Sequence, residues 1–285
     1  MGRLRLMHSF SCRPMAIDCY GVDRLSKLVG GVWFSALSVA YALRSGADIV
    51  LHTDTLGAAL LGHLPYSEIH LTLDSMPDDI HPRFWAAGKI FALQAEEPGT
   101  VHIDGDVFIK RASLVDDIAA PGWDFIAQSV EDESSRHCYE MEVPVFAPDA
   151  GACHSRGFHF ETYGAYNTGV IGFRDRALRD EFCSTYVTLA KHFSRLSRRM
   201  LDENPVQTPD IMLEQRFVMQ LCARHGSRVK LVLPHYGLWG DTAAAIGYQH
   251  IVTAAKYNLV GKVKETLAKV SPEIHQSTLK LCQNL

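Results

Sequence analysis

A mostly parallel β-sheet flanked by helices is the fold class that this sequence predicts. Between Leu4 and Ile109, short apolar runs alternate with stretches of helical periodicity, and this alternation is typical of α/β proteins. Hydrophobic residues make up 47% of the 285 residues and charged residues 21%, a balance that is typical of globular proteins. A chain of this length can form one large α/β domain or two small ones, and we expect one domain over residues 1–285.

The N-terminal part of the chain supplies most of this alternation. Asp23 suits a helix N-cap, Gly46 suits the residue that follows a helix, and Pro82 suits the first turn of one. The predicted elements are a strand over Leu4–Phe10, a helix over Asp23–Leu43, a strand over Ala47–His52, a helix over Leu56–Leu61, a strand over Glu68–Leu73 and a helix over His81–Gln94.

The C-terminal part is less regular. Glu131–Tyr163 has no clear period, and its polar composition predicts a long loop without a buried element. Loops of this length inside a compact domain are usually functional or disordered, so we expect this one to contact the acceptor of any reaction. The other predicted elements are strands over Asp124–Val130, Ala165–Phe173 and Val229–Leu233, and helices over Asp175–Met200, Ile211–His225 and Glu273–Leu281.

Two carboxylates interrupt the most apolar run of the chain, Thr100–Ile109. If this run is one strand, Asp104 and Asp106 point to the same side of it, because side chains two apart in a strand share a face. Two buried like charges require a compensating cation, and Mg²⁺ or Mn²⁺ is the hard divalent ion that carboxylate oxygens prefer. The alternative is a solvated turn, which Gly105 would suit.

Polar residues also follow the first two predicted strands. His8 and Ser9 lie at the end of the first strand, and Asp54 follows the second. In open α/β sheets, ligands bind at the carboxyl ends of the strands. We therefore predict that these three residues bind a ligand together with Asp104; the family resemblance described below implies that this ligand is a nucleotide.

Four features in fixed order carry a family resemblance. They are Lys89 within Trp85–Leu93, the Asp104-Gly-Asp106 triplet, Asn167-Thr-Gly169, and His250 six residues before Lys256; Glu214-Gln215 adds an acid–Gln pair at a helix start. This order resembles the glycogenin-like and lipopolysaccharide-galactosyltransferase-like nucleotide-sugar glycosyltransferases. The resemblance spans roughly residues 82–258.

The resemblance implies a GT-A fold, which is a Rossmann-like domain with a mostly parallel central sheet. Within residues 1–285 it implies a nucleotide-binding half (1–130), an acceptor-side half (131–260) and a C-terminal helix (261–285). It also implies a metal-dependent transfer of a sugar, with retention, from a nucleoside diphosphate donor, a UDP-sugar, to an acceptor of unknown class: a glycan, a protein or a lipid.

The resemblance assigns metal and phosphate roles to four residues. Asp104, Asp106 and His250 would bind Mn²⁺ or Mg²⁺, and Asp104 would also contact the donor ribose. Lys256 would act as a point charge on the diphosphate.

Three further residues are assigned to catalysis by the same resemblance. Lys89 would contact the sugar or a phosphate of the donor. Asn167 and Gln215 would hydrogen-bond the sugar or stabilise its oxocarbenium-like centre.

The chain departs from the family pattern at its end. Thr253 replaces a glycine, and Tyr257-Asn258 replaces Pro-Trp. These departures favour one alternative, a non-catalytic scaffold that binds nucleotide sugars. A second alternative is a metal-dependent nucleotidyltransferase, which uses a similar sheet and acid pair. The segment Tyr236–Asp241 is a candidate lid over the donor.

Charge and cysteine content restrict partners and location. The net charge of -4 gives no reason to expect nucleic acid. Seven irregularly spaced cysteines favour reduced thiols, and the N-terminus lacks the long apolar run of a signal peptide. The apolar run Gly31–Ala42 is too short to span a bilayer. We therefore expect a cytoplasmic protein without an integral membrane segment.

Overall fold

The structure is a computed structural model with nine strands and thirteen α-helices in the described residues, which are 3–14, 22–131, 136–204, 208–234, 241–252 and 254–285. The strands are β1 (Arg5–Phe10), β2 (Asp48–Thr53), β3 (Glu68–His70), β4 (Val101–Ile103), β5 (Val107–Ile109), β6 (Phe125–Val130), β7 (Tyr166–Phe173), β8 (Val229–Leu231) and β9 (Tyr248–His250). The helices are α1 (Arg24–Arg44), α2 (Thr55–Leu61), α3 (Ala87–Ala95), α4 (Ala112–Ala119), α5 (Arg136–Glu140), α6 (Val143–Phe146), α7 (Ala150–His154), α8 (Arg176–Leu196), α9 (Arg198–Glu203), α10 (Phe217–His225), α11 (Asp241–Ile246), α12 (Val260–Val270) and α13 (Pro272–Cys282).

Two compact units share the chain. The first unit is formed by Met1–Ser75, Val101–Pro121 and Leu238–Leu285, and the second by Met76–Thr100 and Gly122–Gly237. The units are interleaved along the sequence. The single domain over residues 1–285, with halves over 1–130 and 131–260, stays a prediction. The predicted α/β class is confirmed: the first unit has four sheet strands and the second has three, most of the strand pairs within the units are parallel, and both units contain helices.

The four strands of the first unit run in the order β3-β2-β1-β4, and all are parallel. Leu6 of β1 lies opposite Ile49 of β2 on one side and Val101 of β4 on the other. All three side chains are fully buried. Apolar runs of this kind are typical of parallel strands that are covered on both faces, which explains why the sequence revealed these strands.

The first helix, α1, lies in the first unit and packs against α12 and α13. The predicted N-cap is confirmed, because the Asp23 carboxylate accepts a hydrogen bond of 2.9 Å from the Ser26 amide. Gly46, which follows the helix, has a φ of +89° that favours glycine. By length and composition α1 could cross a membrane, yet 67% of its most apolar window is buried inside the protein. No integral membrane segment is therefore evident in the described residues.

The second unit contains three strands in the order β7-β6-β8, with β6 antiparallel to β7 and parallel to β8. All eight residues of β7 are buried. A chain of aromatic contacts joins Phe173 of β7 to Phe182 of α8 and then to Phe217 of α10. Burial of such large side chains is the main favourable term in the stability of this unit.

Two predicted helices end or begin elsewhere. The helix predicted over His81–Gln94 begins only at Ala87, so the placement of Pro82 in its first turn was wrong. The amide of His81 instead donates to Ser194 Oγ at 2.7 Å, and the amide of Ala86 donates to the Asp210 carboxylate at 2.7 Å. Side chains distant in sequence thus satisfy backbone groups that a longer helix would have used.

The helix predicted over Asp175–Met200 is interrupted at Ser197, between α8 and α9. The Ser197 hydroxyl donates to the Val145 carbonyl at 2.7 Å, a tertiary contact that periodicity cannot reveal.

The segment Glu131–Tyr163 differs most from its prediction. It contains α5, α6 and α7, and Phe146, Cys153 and Phe158 within it are fully buried. The expectation of a loop without a buried element was therefore wrong. Each of these helices has only four or five residues, too few to produce a readable helical period.

Glu142 is a buried acid beside α6. Its Oε1 accepts a hydrogen bond of 2.8 Å from the Thr208 amide, whereas Oε2 is buried without a hydrogen-bond partner in the described part of the chain. Burial raises the pKa of Glu142 to about 7, against the opposing effects of Thr208 and Arg83. The folded protein therefore retains this proton at pH values where an unfolded chain has lost it.

We predict that Glu142→Gln flattens the pH dependence of stability. Because the folded-state pKa is raised, stability contributed by protonated Glu142 is present at low pH and is lost as pH rises from about 4.5 to about 7. At pH 8 the variant should exceed the parent by about 3 kcal/mol in the free energy of unfolding, with convergence below about pH 4. Urea unfolding at several pH values measures this, and the exposed Glu273→Gln is the control. The prediction would be contradicted if variant and parent differed by the same free energy of unfolding at pH 8 and at low pH.

Candidate functional site

The Asp104-Gly105-Asp106 triplet forms a turn in the first unit. It connects β4 to β5, and the Val107 amide donates to the Asp104 carbonyl at 2.9 Å to close it. The prediction of one continuous strand over Thr100–Ile109 was therefore wrong, because backbone turning interrupts it. The turn that was weighed as the alternative is present, but Asp106 is buried within it and only 7% exposed.

The short strand β9 brings His250 to this turn. β9 pairs with β5 in an antiparallel ladder in which His250 lies opposite Val107. The Ile251 amide also donates to the Asp106 carbonyl at 3.1 Å. This register places His250 Nε2 3.3 Å from Asp106 Oδ1.

Lys256 completes the surroundings of Asp106. It lies in a 3₁₀ turn, Ala254–Leu259, that follows β9, and its Nζ donates to Asp106 Oδ2 at 2.6 Å. Burial by itself would raise the pKa of Asp106, but Lys256 and His250 outweigh it and lower this pKa below its ordinary value. Burial likewise acts to lower the pKa of Lys256, while Asp106 raises it. The pair is therefore ionised at neutral pH.

One divalent cation would fit the ligand atoms of Asp104, Asp106 and His250. Single ligand atoms from the three residues lie within 4.8 Å of one another. Two carboxylate oxygens and an imidazole nitrogen are ligands that Mn²⁺ and Mg²⁺ accept, with imidazole favouring the transition metal. The buried anion Asp106 gives the cluster the charge that such a cation needs.

Ser9 reaches this cluster through His102. The Ser9 amide donates to His102 Nε2 at 3.2 Å, and the Ser9 hydroxyl lies 2.8 Å from the same nitrogen. A neutral imidazole that accepts at Nε2 carries its proton on Nδ1, which lies 3.8 Å from Asp104 Oδ1. Ser9 therefore orients a histidine beside the acid turn.

His8 and Asp54 have structural partners in the first unit. His8 is buried, its Nδ1 lies 2.8 Å from the Tyr66 hydroxyl, and its Nε2 lies 3.0 Å from Ser38 Oγ. Burial lowers the pKa of His8 to about 3, although Asp106 acts to raise it. Asp54 caps α2 through the Gly57 amide and also accepts from the Cys12 amide, both at 2.7 Å. Nucleotide binding by either residue stays a prediction.

Lys89 lies buried in the second unit. Its Nζ is 2.6 Å from Glu214 Oε1 and donates to the Thr168 carbonyl at 3.0 Å. The Lys89 side chain is 4% exposed and that of Glu214 fully buried. A surface lysine, the simplest interpretation of a single Lys in a helix, is therefore excluded.

Asn167 and Gln215 also lie in the second unit. The Asn167 amide group donates to Glu131 Oε1 at 2.7 Å, and its own oxygen accepts from the Gly169 amide at 3.0 Å. Gln215 lies in a π-helical turn, Ile211–Arg216, that precedes α10, and it accepts from the Tyr139 hydroxyl at 2.6 Å. Turns of this rare type occur frequently at functional sites.

In each unit, several residues that contact the predicted site residues were not predicted from the sequence. β9 was not predicted, and Tyr139 and Glu131 were placed in a segment without structure. Asp210 was also missed: it is fully buried, accepts from the Tyr186 hydroxyl, and its pKa is raised well above its ordinary value by burial. The three residues of β9 are too few to show strand alternation. Thr253 and residues 236–240 of the predicted lid lie outside the described residues, whereas Asp241 begins α11.

Comparisons with known proteins give a family and show similarity to solved structures. No curated protein matches this sequence. The structure is similar to an apo structure of WbbM, a bifunctional glycosyltransferase, with 10% sequence identity and a TM-score of 0.37. The similarity covers 96% of this chain and 51% of that one, so this chain spans about half of that protein's length. A model described as "Family of unknown function (DUF6734)" matches residues 32–280. Because this match covers most of the chain, the protein belongs to the DUF6734 family.

Proposed function

We propose that this protein is a metal-dependent glycosyltransferase. It would transfer a sugar from a nucleoside diphosphate, a uridine one by the sequence resemblance, to a glycan, protein or lipid acceptor with retention. One observation carries the proposal: Asp104, Asp106, His250 and Lys256 converge in the first unit although about 150 residues separate Asp106 from Lys256. These are the four residues to which the resemblance assigns the metal and the diphosphate.

Asp104, Asp106 and His250 would hold Mn²⁺ or Mg²⁺. A bound divalent cation would neutralise the negative charge of the departing nucleoside diphosphate. His102, oriented by Ser9, would in turn restrain the Asp104 carboxylate.

Lys256 has two roles in this proposal. In the described conformation it balances the charge of Asp106 at 2.6 Å. If Asp106 held a cation, Lys256 would no longer have to neutralise it, and its ammonium would be available to the diphosphate. The protein thus keeps a buried carboxylate compensated both before and after it binds the donor.

Asn167 and Gln215 would hydrogen-bond the transferred sugar. Their hydrogen bonds to Glu131 and Tyr139 restrict their rotamers, and such restriction lowers the cost of orienting a substrate. Lys89 would hold Glu214 and the Thr168 carbonyl beside Asn167, so we assign it to positioning as well as to the predicted contact with sugar or phosphate.

We predict that donor binding requires metal and the acid turn. Calorimetric titration with UDP-sugars, with and without Mn²⁺, should show binding that depends on the metal. Asp104→Asn and Asp106→Asn should each weaken it by at least about tenfold, because each replaces a charged metal ligand by a neutral amide. The exposed Asp116→Asn in α4 is the matched control and should leave binding unchanged.

The outcomes separate the alternatives. If no nucleoside diphosphate binds in the presence of Mn²⁺, the proposed function is wrong. Binding without hydrolysis or transfer across an acceptor panel would indicate the non-catalytic scaffold. A preference for nucleoside triphosphates would indicate the nucleotidyltransferase. Thermal melting of each variant distinguishes loss of a ligand from loss of the fold.

We predict that the Lys89–Glu214 pair stabilises the second unit only as a pair. Lys89→Met leaves Glu214 buried without its 2.6 Å partner, and this should lower the free energy of unfolding by about 3–5 kcal/mol. The double variant Lys89→Met/Glu214→Leu should recover most of the loss, because it removes both charges. Urea unfolding of the parent, both single variants and the double variant measures the coupling. Additive losses would show that the two charges do not stabilise each other.

A further inference from the structure

A cavity of about 320 Å³ opens within the second unit. Two arginines, two tyrosines and one glutamate line it: Arg136, Arg216, Tyr139, Tyr163 and Glu131. It is distinct from the metal cluster, all of whose ligands belong to the first unit. None of its lining residues has a role in the function proposed above except as a hydrogen-bond partner.

Arg216 is the unusual residue of this cavity. It is only 3% exposed, yet no carboxylate of the described residues forms an ion pair with it. Its Nη1 donates to the Phe160 carbonyl at 2.5 Å, and its guanidinium lies 4.7 Å from the centre of the Tyr139 ring. Its Nε is buried without a hydrogen-bond partner among the described residues. Proteins rarely bury a cation without an anion to compensate it.

Arg136 adds a second cation at a more exposed position. Its guanidinium lies 3.9 Å from the centre of the Tyr163 ring, and its Nε donates to Glu140 at 2.7 Å. The Arg136 side chain is 43% exposed, so it can move towards a ligand without creating a void in the protein interior. Its Nη2 also donates to the Tyr163 hydroxyl. An anion bound by Arg136 would replace one of these partly exposed contacts, because guanidinium edges match the oxygens of carboxylates and phosphates.

Glu131 adds a carboxylate, a hydrogen-bond acceptor, to the cavity. Its carboxylate accepts from Asn167 at 2.7 Å, and a carboxylate oxygen can also accept hydrogen bonds from the hydroxyls of a sugar. Tyr139 and Tyr163 add apolar ring surface. A ligand with an oxyanion for the arginines and hydroxyls for Glu131 would satisfy both kinds of group.

We propose that this cavity binds the acceptor of the reaction through an anionic group, and that the acceptor is a sugar that carries a carboxylate or a phosphate. Anion binding follows from the cavity itself, whereas the identification with the acceptor rests on the proposed glycosyltransferase function. Two contacts support that identification. Glu131 holds Asn167 and Tyr139 holds Gln215, the two residues assigned to the transferred sugar.

Calorimetric titration of the full chain with glucuronate, glucose 6-phosphate and glucose tests the proposal. At least one anionic sugar should bind about tenfold or more tightly than glucose, since a charged hydrogen bond contributes at least that factor. Binding should weaken as salt is raised, because Arg136 is partly exposed. Glucuronate alone would identify a carboxylate as the anion, and glucose 6-phosphate alone a phosphate.

Variants locate the binding in the cavity. Arg216→Gln and Arg136→Gln should each reduce the affinity for the anionic sugar about tenfold, while Arg156→Gln, an exposed arginine of the same unit outside the cavity, should not. Arg136 is exposed enough for its variant to fold, so the test survives if Arg216→Gln does not. Equal affinity for all three sugars, no binding, or retained affinity in both cavity variants would overturn the proposal. Asp106→Asn should leave anion binding intact, so a failure of the donor site is distinguishable from a failure of this one.

Discussion

The first unit depends on the compensation of one buried carboxylate. Asp106 is 7% exposed, and an isolated charge at such a position is too costly for a folded protein to retain. Both compensating groups, His250 and Lys256, lie on or just after β9. The pairing of β5 with β9 is therefore stabilised by the charges around Asp106 as well as by backbone hydrogen bonds. The buried Asp106 carboxylate requires compensating partners, and the segment that contains His250 and Lys256 supplies them.

Local pattern was sufficient to predict the elements that bury one clear apolar face. β1, β2 and α1 were predicted within a few residues, including the Asp23 cap, because their signals lie within a single run of sequence. The acid turn was recognised for its chemistry but not for its conformation. The expectation that Asp104 and Asp106 share a strand face relied on strand spacing, whereas a turn and a second strand bring the ligands together.

Contacts between residues that are distant along the chain could not be predicted from the sequence. Lys89 and Glu214 form a buried pair, although each, taken alone, has the default of an exposed helix residue. The helices of residues 131–163 were missed because Phe146 and Phe158 are buried by tertiary contacts, not by a local apolar stripe. The family resemblance nevertheless singled out Asp104, Asp106, His250 and Lys256, which lie together in the first unit.

The interleaving of the two units has a consequence for biosynthesis. The second unit ends before β9, so all of its strands and helices have been made while the first unit still lacks β9, α12 and α13. During translation Asp106 lacks its partners until His250 and Lys256 have been made. Helix α1 likewise lacks α12 and α13, the two helices that pack against it. Pairing of such distant segments is slow, because the entropic cost of closing the loop between them arises before any stabilising contact forms. A nascent chain therefore exposes the acid turn and the apolar face of α1 until residues 248–282 have been made, and a chaperone would be most useful during this interval.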